Sequence, residues 1–363
     1  MAKSYDLTMA GHPNIYDDSE RELPIWFCEP EAGVNSNTGI LLLTSGFGES
    51  VTSDECVQAR QRLADEHNFV TVQCEYFGNR FMGTQLNPSF TFKKAALQQV
   101  FTPDEWQQID EGDSLNMTKL LEYGVNYPIH LEGVNQLGES LQEFNDMGMM
   151  QALDNVAAVL TVMAILDDNE LPYDRSRIVA YGHGHGAYIQ HLCNAMAPRL
   201  FAAQVDYHSW LFPDYLALPR VLHYQRGRMK QSILFDYLAR KQPIDQELLR
   251  LPSLYRRFQN QSRLICFEDR NTDEELRIAK KSFCHQVPNA TYIECGGIQE
   301  AAKYVDNDYY TMFDYAMNML KLDARESASG ELMNTQVHTA MYRYDITYNL
   351  GLPQLTRSSK SRA

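Results

Sequence analysis

The run Ile178-Val179-Ala180-Tyr181-Gly182-His183-Gly184-His185-Gly186-Ala187-Tyr188 reads as a strand, a glycine-framed turn and the start of a helix. That is the GxSxG nucleophile-elbow pattern with glycine where the serine belongs. In such an elbow the flanking glycines let strand and helix approach closely, and the central side chain supplies the oxygen or sulfur that attacks an acyl carbon. A histidine must take its proton, and a carboxylate must orient that histidine. Gly182 and Gly186 meet the packing need, while Gly184 leaves the nucleophile position vacant. His183 and His185 also form an HxH pair, with Asp206 and His208 one strand later, so a metal-dependent hydrolase built on His183, His185 and Asp206 is one reading of the set. The plainer reading is that both histidines flank a lost nucleophile; no metal and no cofactor is expected.

The other members of an acyl-transfer site follow from position. Gly39-Ile40-Leu41-Leu42-Leu43-Thr44 is a continuous apolar run of the kind that forms a strand buried on both faces, and it ends in Ser45-Gly46-Phe47-Gly48-Glu49. That loop would donate one backbone N–H to an oxyanion, and the other would come from His185. Gly46, Phe47, Gly48, His183, His185 and Asp206 are therefore the expected pocket residues. The acid is expected at Asp273, with Asp269 second. The base should follow Gly296-Gly297, but Ile298-Gln299-Glu300 stands there, and no further histidine occurs until His338. His208 could be a relocated base, yet it reads more simply as a hydrogen-bonded residue under a lid. Strand alternation puts Asp206 and His208 on one side and Ser209 on the other. Cys74 and Cys295 end strands near the same edge and would need a basic partner to act as nucleophiles. His285 falls within a helix.

These groups need a sheet to hold them, and the chain alternates as one requires. Tyr5 to Met9 and Leu23 to Cys28 suit an edge hairpin. A helix from Ser53 to Glu66, a strand from Phe69 to Cys74, a helix from Asp146 to Leu166, the elbow, and strands at Phe201 to Val205, Leu264 to Phe267 and Thr291 to Cys295 follow, with a closing helix from Asn307 to Leu322. The expected architecture is an α/β-hydrolase fold, a mostly parallel central sheet flanked by helices with insertions forming a cap or lid. The domain spans 1–322, with an insertion at about 78–144 and a largely helical lid at about 211–261. Residues 323–363 form an extension with a partly disordered tail, although the aromatic segment Met341 to Tyr348 suits a returning strand.

The totals bound the function. A formal charge of -15 over 363 residues opposes nucleic acid and anionic membrane as partners, and Arg357, Lys360 and Arg362 read as a frayed tail. Seven cysteines without CxxC spacing suit a reducing cytoplasm, the N-terminus has no signal-peptide character, and no apolar run of the ~18 residues a membrane helix needs is visible.

Taken in order, Gly46-Phe47-Gly48-Glu49, Asn145-Asp146-Met147-Gly148-Met149-Met150-Gln151-Ala152-Leu153-Asp154, His185-Gly186-Ala187-Tyr188 and Ala197-Pro198-Arg199-Leu200-Phe201 resemble a bacterial family of α/β-hydrolase-like proteins of uncharacterised function. Its members are often encoded near flagellin or surface-glycan modification genes, and they are distantly similar to accessory-secretion O-acetyltransferases. The resemblance covers about residues 1 to 320 and implies a cytoplasmic protein concerned with acyl groups on a glycan or glycoprotein. Members usually keep serine at the position of Gly184 and a histidine after the final strand, and this chain has neither. Three functions follow as expectations: a catalytically degenerate hydrolase fold binding a small acyl or glycan ligand or a protein partner; an active esterase or O-acyltransferase with an atypical set; and the metal-dependent hydrolase.

Overall fold

A computed structural model describes residues 1–83, 85–295, 308–320, 332–348 and 351–360. The chain divides into two compact units, the larger made of Met1–Gly83, Leu141–Pro213 and Pro243–Ala363 and the smaller of Thr84–Ser140 and Asp214–Gln242.

The larger unit is built on an eight-stranded sheet. Its strands are β1 (Lys3–Ala10), β2 (Glu22–Glu29), β3 (Gly39–Thr44), β4 (Phe69–Cys74), β7 (Ile178–His183), β8 (Ala203–Tyr207), β11 (Arg263–Asp269) and β12 (Ala290–Cys295), in the spatial order β1-β2-β4-β3-β7-β8-β11-β12. β1 and β2 pair antiparallel, β2 meets β4 antiparallel, and every pairing from β4 to β12 is parallel. With its antiparallel edge hairpin and its single exchange of β3 and β4, this is the strand order of an α/β-hydrolase sheet. β3, β4 and most of β7 are buried at every position, which is why β3 reads as a continuous apolar run; in β4 the buried Thr71 and Gln73 interrupt the apolar residues. β8 begins two residues later than the apolar run suggested.

Helices cover both faces. Leu41, Tyr181, Val205 and Phe267 pack with Leu63 of the helix Asp54–His67 and with Phe313 and Ala316 of the helix Asp308–Leu320. The opposite face carries the helices Met149–Asp168 and His185–Met196. Met149–Asp168 is long and apolar enough to cross a membrane, with a mean hydropathy of 1.7, so the expectation that no such run exists was too strict. Its window is 83% buried inside the protein, as befits a core helix that is apolar on every side.

The smaller unit has its own four-stranded sheet, in the order β5 (Pro88–Thr91), β6 (His130–Asn135), β10 (Met229–Phe235), β9 (Arg220–Arg226), over a core that includes Trp106, Ile109, Leu120, Leu131 and Met229. Residues 214–242 therefore form mainly a hairpin where a helical excursion was expected. The reason lies in β10, where Met229, Gln231, Ile233 and Phe235 are buried at alternate positions, a two-residue period that only a strand can present to one side. The two insertions are one folding unit, joined by the parallel pairing of β10 with β6.

At the C-terminus, β13 (Thr335–His338), β14 (Tyr342–Thr347) and β15 (Gln354–Ser359) form an antiparallel sheet. The expected returning strand is present. Two of the basic residues expected in a frayed tail are ordered: Arg357 lies in β15, and Lys360 Nζ donates to the Thr339 carbonyl at 2.6 Å. Arg362 lies outside the described residues.

Candidate functional site

β7 enters the elbow at His183, Gly184 bridges, and the helix starts at His185. Gly184 has φ 54° and ψ −114°, the strained geometry that lifts a nucleophile off the sheet edge, and a Cβ at this position would meet nothing within 4 Å. Its N–H donates to the Tyr207 carbonyl at 2.9 Å, fixing the bend against β8. The flanking glycines have no such room. A Cβ on Gly182 would lie 2.7 Å from the Ala187 nitrogen, and one on Gly186 would lie 2.2 Å from the Thr44 carbonyl oxygen. The two framing positions are compelled by packing, while the central one is open space lacking a reactive atom.

The loop after β3 is closed on itself. The Gly46 N–H donates to Glu49 Oε2 at 2.6 Å, and the Glu49 N–H returns to the Gly46 carbonyl at 3.2 Å. A carboxylate therefore occupies one backbone donor of this loop and brings a negative charge, where an oxyanion would need donors and no like charge. The Phe47 ring packs 5.5 Å from both His185 and Trp210. Gly48 adopts φ +85°, and a Cβ there would lie 3.0 Å from the Met82 carbonyl oxygen.

His183 and His185 diverge. The His183 ring lies 5.2 Å from that of Tyr207. His185 is buried, with Nε2 2.8 Å from Gln151 Oε1, and no described residue bonds its Nδ1. Burial brings its pKa down from 6.5 to about 3. The folded ring stays neutral while the unfolded chain takes up a proton below about pH 6.5, so this group weakens folding progressively as the pH falls from about 6.5 toward 3, by up to about 1.4 kcal/mol per pH unit. His185→Gln keeps a donor for Gln151 and removes the titration. Its urea-unfolding free energy is expected to fall less steeply than that of the parent chain between pH 6.5 and 4; superimposable curves would show that the ring does not behave as a buried neutral group.

Asp206 is not a pocket residue. Its Oδ2 lies 2.8 Å from His191 Nε2 and 2.5 Å from Lys280 Nζ, and Ser209 donates to it through both N–H and Oγ. Burial alone would raise this carboxyl, but the Lys280 ammonium and the His191 contact outweigh it and hold the pKa below the carboxylate range. The alternation argument fails here because β8 stops at Tyr207 and His208 takes φ +60°, turning the chain so that Ser209, not His208, joins Asp206. The set His183, His185 and Asp206 does not converge, which removes the geometric basis of the metal reading.

His208 instead meets Glu268. Its Nδ1 is hydrogen-bonded to Glu268 Oε1, which also accepts from Thr272 Oγ1 at 2.8 Å. Glu268 is buried, and the His208 side chain is 40% exposed. The bond to Glu268 raises the imidazole pKa above 6.5 against the opposing effect of partial burial. An imidazole held at Nδ1 by a carboxylate is the arrangement that orients Nε2 to take a proton. The expected acids are engaged elsewhere: Asp273 caps the helix Glu274–Gln286, and Asp269 accepts from Asn271. Glu268 is not among the acids expected from the sequence, Asp273 and Asp269, because it is still buried within β11. The register Phe267↔Tyr207 signals it, since the next step opposes residue 268 to residue 208.

Burial raises the Cys74 thiol well above its usual value and takes Cys295 to about 11, so neither is a ready thiolate. His285 stands in the last turn of its helix and His338 on β13. The loop Ile298-Gln299-Glu300 lies outside the described residues.

No protein-family model matches the chain, and no curated protein does. Solved structures do. They include Est1E from Butyrivibrio proteoclasticus with bound ferulic acid, at 12% identity and a TM-score of 0.44 over 86% of this chain and 99% of that one. A lipase/esterase from Lactobacillus plantarum matches at 12% identity and 0.46, over 88% of this chain and 97% of that one. The acylaminoacyl peptidase of Pyrococcus horikoshii matches at 10% identity and 0.46, over 90% of this chain and 42% of that one.

Proposed function

We propose that this chain is a catalytically silent hydrolase-fold protein, a cytoplasmic accessory to surface-glycan or flagellin modification that binds a small acyl or glycan ligand or a protein partner at the elbow. The observation that carries the reading is Gly184, set in the nucleophile's backbone conformation with open space around it and no oxygen or sulfur to attack. The Glu49 carboxylate on the Gly46 N–H adds to it, since it opposes the charge that acyl transfer develops. The expected result with p-nitrophenyl acetate is no turnover above buffer, and with a fluorophosphonate probe no label. Gly184→Ser is expected to stay unlabelled as well, because the Glu49 carboxylate already holds the Gly46 N–H of the loop that would stabilise the adduct's oxyanion. Labelling of that single variant would overturn the reading.

The His208–Glu268 pair favours a second one, an ester hydrolase or O-acyltransferase in which His208 activates water or an acceptor hydroxyl. It requires esterase turnover in the parent chain that rises with pH through a value above 6.5, as the raised imidazole pKa releases its proton, and that is lost in His208→Gln. Absence of turnover at any pH between 6 and 9 excludes it.

A further inference from the structure

Within the larger unit, a cavity of about 450 Å³ lies between the N-terminal loop, the segment 244–248 and the C-terminal sheet, and none of its lining residues belongs to the elbow or to the His208–Glu268 pair. Its volume is in the range of small-molecule sites. Hydrogen bonds tie its walls together: His12 Nε2 accepts from the Leu355 N–H at 3.0 Å, and the Tyr344 hydroxyl donates to Asp245 Oδ2 at 3.0 Å. The cavity is thus a built feature of three segments distant in sequence.

Ile15, Met149, Leu248 and Leu355 give it an apolar lining, and Asp18 and Arg357 add one charge of each sign. Asp245 also lines it, but that carboxylate is already satisfied by Thr339, Tyr344 and the Glu247 N–H. Asp18 and Arg357 differ. Neither has an ion-pair partner among the described residues; Arg357 lies over the Tyr342 ring at 4.9 Å, and Asp18 is held at φ +59°, a conformation aspartate adopts uncommonly. A ligand with only a negative charge would leave Asp18 opposing it, and one with only a positive charge would leave Arg357 opposing it. A molecule carrying both, on a short apolar body, satisfies the whole lining.

We propose that this cavity binds a zwitterion of the free amino acid or short peptide class, its carboxylate on the Arg357 guanidinium, its ammonium toward Asp18, and its side chains on the apolar lining. The bidentate geometry of guanidinium and carboxylate suits the first contact.

Isothermal titration of the full chain with L-leucyl-L-leucine, its N-acetyl form and its C-terminal amide tests this. The free dipeptide is expected to bind saturably, and each capped form at least tenfold more weakly. Arg357→Gln should abolish the discrimination between dipeptide and amide while keeping that against the N-acetyl form, and Asp18→Asn should do the reverse. Both side chains are at the surface, and unchanged melting temperatures would show that the variants fold. No binding of the free dipeptide at millimolar concentration, equal binding of the capped forms, or variants that leave the discrimination intact would each overturn the proposal. Activity at the elbow plays no part in the readout.

Discussion

Lys280→Met is expected to destabilise the larger unit by about 3–5 kcal/mol in urea unfolding at pH 7, the usual cost of leaving one buried charge without its partner. Lys280 and Asp206 are 2% and 1% exposed, and the ammonium also reaches the Ser209 carbonyl at 3.3 Å and its hydroxyl. Burial would lower the lysine pKa, but the Asp206 charge reverses this and leaves it raised. Once the cation is gone, the His191 contact and the Ser209 donors are all that still oppose burial at Asp206, and its carboxyl rises. In the parent chain the depressed Asp206 pKa gives stability that is complete above the ordinary carboxylate value and fades only as the pH falls below it. In the variant the raised carboxyl takes up a proton at a higher pH, which relieves the buried charge. The deficit should therefore narrow between pH 7 and pH 5. The double variant Asp206→Asn/Lys280→Met should be less destabilised than the single one, because two residues in direct contact are not additive. A cost below about 1 kcal/mol for Lys280→Met would mean that the network does not hold this side of the sheet.

The second large effect separates the elbow's glycines. Gly186→Ala should cost more than about 3 kcal/mol or prevent folding, because its Cβ would stand 2.2 Å from the Thr44 carbonyl oxygen and 2.8 Å from that of Ser45, both backbone atoms at the end of β3. Gly184→Ala meets nothing within 4 Å and should cost only about 1–2 kcal/mol, the strain of a side chain at positive φ. Chemical denaturation of the two variants side by side measures the difference. Equal costs would mean that helix and strand are not packed as closely here as the geometry shows.

The contrast is the physical signature of a bend whose flanking positions are fixed by packing and whose central position is not. Close approach of β7, β3 and the elbow helix fixes Gly182 and Gly186. At position 184 a side chain would meet open space, so glycine and a small residue differ there only in the strain of a positive φ.

Much of this was legible in the residues. The alternation of apolar runs and helical stretches placed the sheet strands, because strands buried on both faces are predominantly apolar. The elbow was visible because its glycines obey a local steric rule. The pairing of His208 with Glu268 was not, since it depends on the parallel register of β8 and β11 and on a positive φ at residue 208. The burial of Asp206 was hidden for the same reason: its partner Lys280 lies 74 residues further along, on a helix whose spacing marks one face as buried without saying what that face meets.

The insertions show where local reading stops. β10 finds β6 about a hundred residues away, so only the assembled unit reveals that the two excursions are one body. Sequence alone determined the elbow, its vacancy and the layered scaffold, because these follow from contacts between neighbours in the chain and from the period of burial. Tertiary structure alone decided which carboxylate meets His208, which cation meets Asp206 and where a cavity stands open, because each of those contacts joins segments that no local pattern connects.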